Sequence, residues 1–115
     1  MGACNFSTTG FGKTVQEAYR NACDESQYES GHDSYNGTIS TTRGFRLFSK
    51  EEHPRYGTKV FQKWENDIIE NDKFGIEKWG RAGAVEIPRS YMLKKYPHMK
   101  GKRGKMFYFF GWAAE

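Results

Sequence analysis

The chain has no apolar run near the roughly 18 residues that a membrane-spanning helix needs, and no basic-then-apolar stretch of a signal peptide at its N-terminus. A cytoplasmic protein with no membrane partner is therefore expected. Cysteine is scarce: Cys4 and Cys23 are the only two. Without a secretion signal, two free buried thiols are expected rather than a disulfide. Aliphatic residues are few, so no large aliphatic core is available. Acidic residues are missing altogether from Pro88 to Ala114, a stretch that carries seven Lys and Arg. Neither a Gly-x-Ser-x-Gly elbow nor a His-Glu-x-x-His pair occurs, which excludes the two commonest local signatures of hydrolytic chemistry. There is no repeat, low-complexity tract or linker.

What is abundant is aromatic. Nine Phe, seven Tyr and three Trp in 115 residues imply a core built from rings, each burying a large area. The length fits one domain with a modest core. Thirteen Gly imply many tight turns and argue against an all-helical bundle.

The most specific local signal runs from Lys13 to Ile39. Thr14 followed by Glu17 is a capping box. Val15, Ala18, Tyr19, Ala22, Cys23 and Ser26 then share one stripe at helical spacing, predicting a helix over 14–30 that ends at Gly31. Ser34-Tyr35-Asn36-Gly37 has turn chemistry. Around this helix we expect a first strand at 3–9, with Gly10-Phe11-Gly12 as a turn, and a second strand at 38–48 bulged at Gly44. A polar loop over 49–57 leads to Thr58, which caps a second helix to about Asn71, although a strand over 59–64 fits the same short aromatic run. A strand at 74–79, a turn at 80–83, a short strand at 84–87 stopped by Pro88, and a helical turn at 91–96 capped by Ser90 follow. Met106 to Trp112 is aromatic on both alternating faces, the mark of a strand covered on both sides or one whose outer face binds something. The expected fold is a single small α+β domain, a mostly antiparallel sheet with one or two helices packed on one face.

The segment containing Tyr28, Glu29, Gly31, His32, Tyr35, Gly37, Thr38 and Ile39 resembles a recurring pattern in small uncharacterised proteins of tailed bacteriophages, a helix ending in Tyr-Glu-x-Gly-His followed by a Tyr-x-Gly-Thr-Ile turn. The resemblance covers about a quarter of the chain. It implies phage origin, residence in an infected host cell, and a role as an inhibitor, a sponge for host signalling molecules or a nucleic-acid binder, with antagonism of host defence as the setting.

Several residues are candidates for a site. Ser7 to Thr14 falls one glycine short of a P-loop: Ser7 stands where the first Gly belongs, and Gly12-Lys13-Thr14 completes the pattern. With no strand ending in a magnesium-holding Asp, hydrolysis is not expected, but helix-start amides with Lys13 suit a phosphate. His32-Asp33 after Glu29 reads chiefly as a helix C-terminus, where His is favoured by the dipole, and no further ligand is near enough in sequence for a metal. Tyr28 and Tyr35 flank that corner. Cys23 lies on the apolar stripe and reads as a core thiol rather than a nucleophile. Lys102, Arg103 and Lys105 lead into Tyr108 and its neighbouring rings, joining phosphate-seeking charge to stacking surface as single-stranded nucleic-acid binders do.

The function expected first is non-enzymatic capture of an anionic ligand, such as a nucleotide or cyclic nucleotide signal, by Gly12, Lys13, Thr14, Tyr28, His32, Tyr35, Lys102, Arg103, Lys105 and Tyr108. A single-stranded nucleic-acid module using the C-terminal segment, and an inhibitor of a host enzyme, are the alternatives. No catalytic residues, cofactor or metal are assigned. A homo-oligomer is compatible with a small aromatic-rich domain that leaves apolar area exposed.

Overall fold

The computed structural model describes residues 3–30, 39, 42–71, 73, 76, 80–101 and 103–114. In chain order the elements are β1 (Ala3–Gly12), α1 (Val15–Ser30), β2 (Phe45–Phe48), α2 (Lys59–Glu70), β3 (Ala82–Glu86), α3 (Arg89–Lys95), a 3₁₀ turn (Pro97–Met99) and β4 (Lys105–Ala114). The four strands form one sheet in the order β1-β4-β3-β2. β4 pairs antiparallel with both β1 and β3, and β2 runs parallel to β3, so the α+β domain carries a mostly antiparallel mixed sheet.

The last strand therefore lies inside the sheet, and its aromatic run faces both ways. Phe107 and Phe109 meet Ala18 and Ala22 of α1, together with Ile39 and Ala84, while Phe110 meets Phe61, Ile68 and Ile69 of α2, with Phe48 and Val85. The expectation of a helix on one face is met by α1; α2 occupies the opposite face. Two ring-bearing faces on the central strand need two covers. Phe109 and Phe110 are both fully buried, each a transfer of about 1.5–3 kcal/mol.

The first two helices start at their expected caps. The amide of Glu17 donates to Thr14 Oγ1 at 3.2 Å, and the amide of Phe61 to Thr58 Oγ1 at 3.2 Å. The helical reading of 59–71 holds over the strand alternative, with Asn71 as the C-cap. α3 begins one residue before Ser90, with Pro88 at the N-cap and the amide of Met92 donating to its carbonyl at 3.0 Å, so Ser90 is not the cap.

Three strand boundaries differ from expectation. Gly10-Phe11-Gly12 is not a turn: β1 continues through it, paired with Phe107, Met106 and Lys105. The glycines serve close packing instead, because a Cβ at Gly10 would strike the Ala18 carbonyl and one at Gly12 would lie 2.7 Å from the Ala18 nitrogen. β2 is much shorter than 38–48. Ile39 sits in a helical turn closed by the Thr42 amide at 3.0 Å, and Gly44, at φ 131°, lets the chain enter the strand only at Phe45. β3 starts at Ala82 rather than 84, since Gly83 makes room for the Phe110 ring, which would lie 2.5–2.8 Å from a Cβ there. The strand expected at 74–79 lies outside the described residues, apart from Ile76, which is buried in the α2-side core.

Tyr19 ties α1 to the approach to β2. Its hydroxyl is 2.5 Å from Thr42 Oγ1 and accepts from the Gly44 amide at 3.0 Å, while its ring packs against Phe45 and Phe109.

Candidate functional site

Two hollows are built around α3, one basic and one lined by tyrosines. The basic one forms because β1 and β4 pair to their ends. Their register sets Gly12 opposite Lys105, and Gly104 lies against the Phe11 ring and the Gly12 carbonyl. Two segments ninety residues apart in the chain thus converge: Lys13 from the start of α1, and Arg103 and Lys105 from the approach to β4, all exposed. Arg89, at the start of α3, joins them across a hollow of 240 Å³. The buried side chains of Ile87, Met92 and Met106 line that hollow with Gly104, and Arg89, Lys105 and Glu86 rim it. Glu86 pairs with Lys105 at 3.3 Å, and among the described residues Lys13, Arg89 and Arg103 form no ion pair.

The near-P-loop does not wrap a phosphate. Residues 7–12, which would have to form the loop, are extended and hydrogen-bonded to β4. Gly12 is buried and Thr14, though exposed, is engaged as the cap, so Lys13 is the member of this trio that offers an exposed charge.

Tyr108 does not join the basic end. It faces α2 and lies on the second hollow, of 230 Å³, which is also lined by Tyr56, Tyr91, Phe61 and Glu65, with Gln62 and Gly57 beside them. Tyr56 is central among these rings: its centroid lies 5.0 Å from that of Tyr91 and 5.3 Å from that of Tyr108. The Tyr108 hydroxyl donates to Glu65 Oε2 at 2.8 Å. Burial raises the Glu65 carboxyl above its ordinary value, only partly offset by that bond. Burial also pushes Tyr56 up to about 12, and burial together with the Glu65 carboxylate pushes Tyr108 up further.

Tyr28 is in the last turn of α1, and His32, Tyr35 and Lys102 lie outside the described residues. Neither cysteine is in a disulfide, and both are half-buried rather than fully buried. Burial raises the Cys23 thiol, which disfavours the nucleophilic thiolate. The rings of β4 are not a stacking platform, because Phe107, Phe109 and Phe110 are buried and Tyr108 and Trp112 are half-covered by α2. Among the described residues no three His, Cys, Asp or Glu are grouped to hold a metal ion, and no helix is long and apolar enough to cross a membrane.

Sequence reasoning missed Arg89, Tyr56, Tyr91 and Glu65 as site residues. Arg89 was visible as one of the seven cations of the acid-free stretch. Glu65 follows Trp64 and lies between Phe61 and Ile68 on the border of the α2 stripe, where a charge is normally solvated. Comparison of the chain with protein families, with curated proteins and with solved structures finds no match.

Proposed function

We propose that the chain is a non-enzymatic binding protein that captures a small anionic ligand at the basic end of its sheet, with a phosphate at Lys13, Arg89, Arg103 and Lys105 and an apolar or planar body over Ile87, Met92 and Met106. The observation that carries this reading is the register of β1 against β4, which sets Gly12 opposite Lys105 and so brings the chain next to Lys13 towards the basic approach to β4, where Arg89 and Lys105 rim an apolar-floored hollow. Arginine supplies planar paired donors for phosphate oxygens, and lysine supplies point charge. At 240 Å³ the hollow is below the roughly 300–1,000 Å³ of full small-molecule sites, so it takes part of a nucleotide-sized ligand and leaves the charged end at the rim. In the infected-cell setting that the phage resemblance implies, the ligand is a nucleotide or cyclic nucleotide signal, and its capture antagonises host defence from the cytoplasm.

Calorimetric titration with a panel of mono-, di- and cyclic nucleotides tests this. Saturable binding of one or more, weakened about tenfold or more by Arg89→Ala and by Arg103→Glu with Lys105→Glu, is the expected result. Equal affinity in wild type and both variants would remove the basic end as the site. Binding only to oligonucleotides, falling steeply with salt, would replace the reading with nucleic-acid capture. A stoichiometric complex with a host protein, with no nucleotide bound, would replace it with inhibition of a host enzyme.

A further inference from the structure

We propose that the tyrosine-lined hollow between α2, α3 and β4 is a second, separate binding site, for a small organic ammonium ion with Glu65 as its counter-charge. Two independent features of the hollow select the same sign of ligand. The first is the carboxylate. Glu65 is half-buried, and among the described residues no Lys, Arg or His pairs with it. Its one hydrogen bond is from the Tyr108 hydroxyl to Oε2, which leaves Oε1 without a donor from the described residues. A desolvated carboxylate with one neutral partner is electrostatically incomplete, and a cation completes it. The second is the set of rings. Tyr56, Tyr91 and Tyr108 line the cavity together, and their π-faces attract cations, more strongly where water is displaced. The fold already uses this attraction next door: Lys95 Nζ lies 5.9 Å from the Tyr91 centroid and 6.0 Å from that of Tyr96, without lining the hollow.

The local backbone keeps the space open. Gly57, at φ 86°, sits where a Cβ would approach the Tyr91 ring to 2.9 Å, so the turn before α2 and the ring fit only with glycine there. The unfilled Oε1 accepts an N–H, so a primary ammonium is preferred to a quaternary one. The source is either a free alkylamine or a lysine side chain, which share this headgroup.

The test is an NMR titration of the full chain with butylammonium, with Nα-acetyl-lysine methylamide, with tetramethylammonium and with neutral butanol. Butylammonium is expected to shift the Gly57 and Glu65 amides and the three tyrosine ring signals saturably, tetramethylammonium more weakly, and butanol not at all. Tighter binding of the lysine derivative than of butylammonium assigns the site to a protein side chain, and the reverse to a free amine; both sustain the proposal. Glu65→Gln, isosteric and uncharged, should weaken binding about tenfold or more, and Tyr91→Ala severalfold. Butanol shifts equal to those of butylammonium, unchanged affinity in folded Glu65→Gln or Tyr91→Ala, or no shift with any ammonium ion would overturn it. Arg89→Ala, which removes a cation from the basic hollow, should leave butylammonium binding in place, so the two sites succeed or fail separately.

Discussion

Glu65 sits in an environment that opposes its own charge. It is half-buried under α3 and β4 with a single hydroxyl donor and, among the described residues, no cation. Burial therefore raises its pKa in the folded state relative to the unfolded chain. A raised folded pKa gives a stability contribution that is complete below the unfolded value and is lost as the pH rises through the folded one. Glutamine has the shape of the protonated acid and escapes that loss. Glu65→Gln should thus raise the urea midpoint at neutral pH, and the gain should shrink as the pH falls from about 7 to about 4, where the wild-type carboxyl is itself protonated. Parallel urea titrations of the two proteins across that range check this; a deficit for the variant that grows as the pH rises would mean that the carboxylate is held favourably. The position was not legible in the sequence, because its burial comes from Tyr108, a strand partner 43 residues further along the chain.

Elements were legible where their signals are local. The caps Thr14 and Thr58 work within three residues, and both helices start where those threonines place them. Strand ends were less legible because distant partners decide them. Gly10 and Gly12 carry turn propensity, yet pairing with β4 and the close approach of α1 keep them extended, which no local rule anticipates. The long β-prone run before Phe48 fails as a strand for a related reason. Ile39 is buried against α1 by a helical turn, and Tyr19 holds Thr42 and Gly44 by hydrogen bonds, so only four residues remain to pair with β3. The same locality separates two readings of the start of α1. Thr14→Ala should lower stability by about 1 kcal/mol, as a lost cap does, without changing anion affinity. Thermal melts with ligand titrations decide between these roles: a Thr14→Ala protein of wild-type stability and impaired binding would make the hydroxyl a ligand contact rather than a cap.

At the scale of the whole molecule, β4, one of the two interior strands, follows the other three in the chain, and its rings face both cores. Phe107 and Phe109 close the α1 side, Tyr108, Phe110 and Trp112 the α2 side, and the Trp112 indole donates to the Ile69 carbonyl at 2.9 Å. The aromatic richness that composition revealed is thus the sheet's two cores. Which rings pair could not be read from the sequence, because β1 and β3 both pair with β4, a strand distant from β1 in the chain. One consequence is measurable through tyrosine ionisation. Tyr19 on the α1 side and Tyr56 on the α2 side are both pushed up to about 12 by burial, against about 10 in an unfolded chain. Their contribution to stability is whole below about 10 and is lost as the pH rises towards about 12, because the unfolded chain releases protons that the folded chain retains. Because one such residue lies on each face of a shared sheet, ionising either opens a core that both faces need. Spectrophotometric titration of tyrosinate should therefore show Tyr19, Tyr56 and Tyr108 ionising late, together with loss of the near-ultraviolet circular dichroism signal. A smooth titration of all seven near the ordinary value, with the dichroism intact, would show that these hydroxyls are open to water and that the rings do not bind the two faces into one cooperative unit.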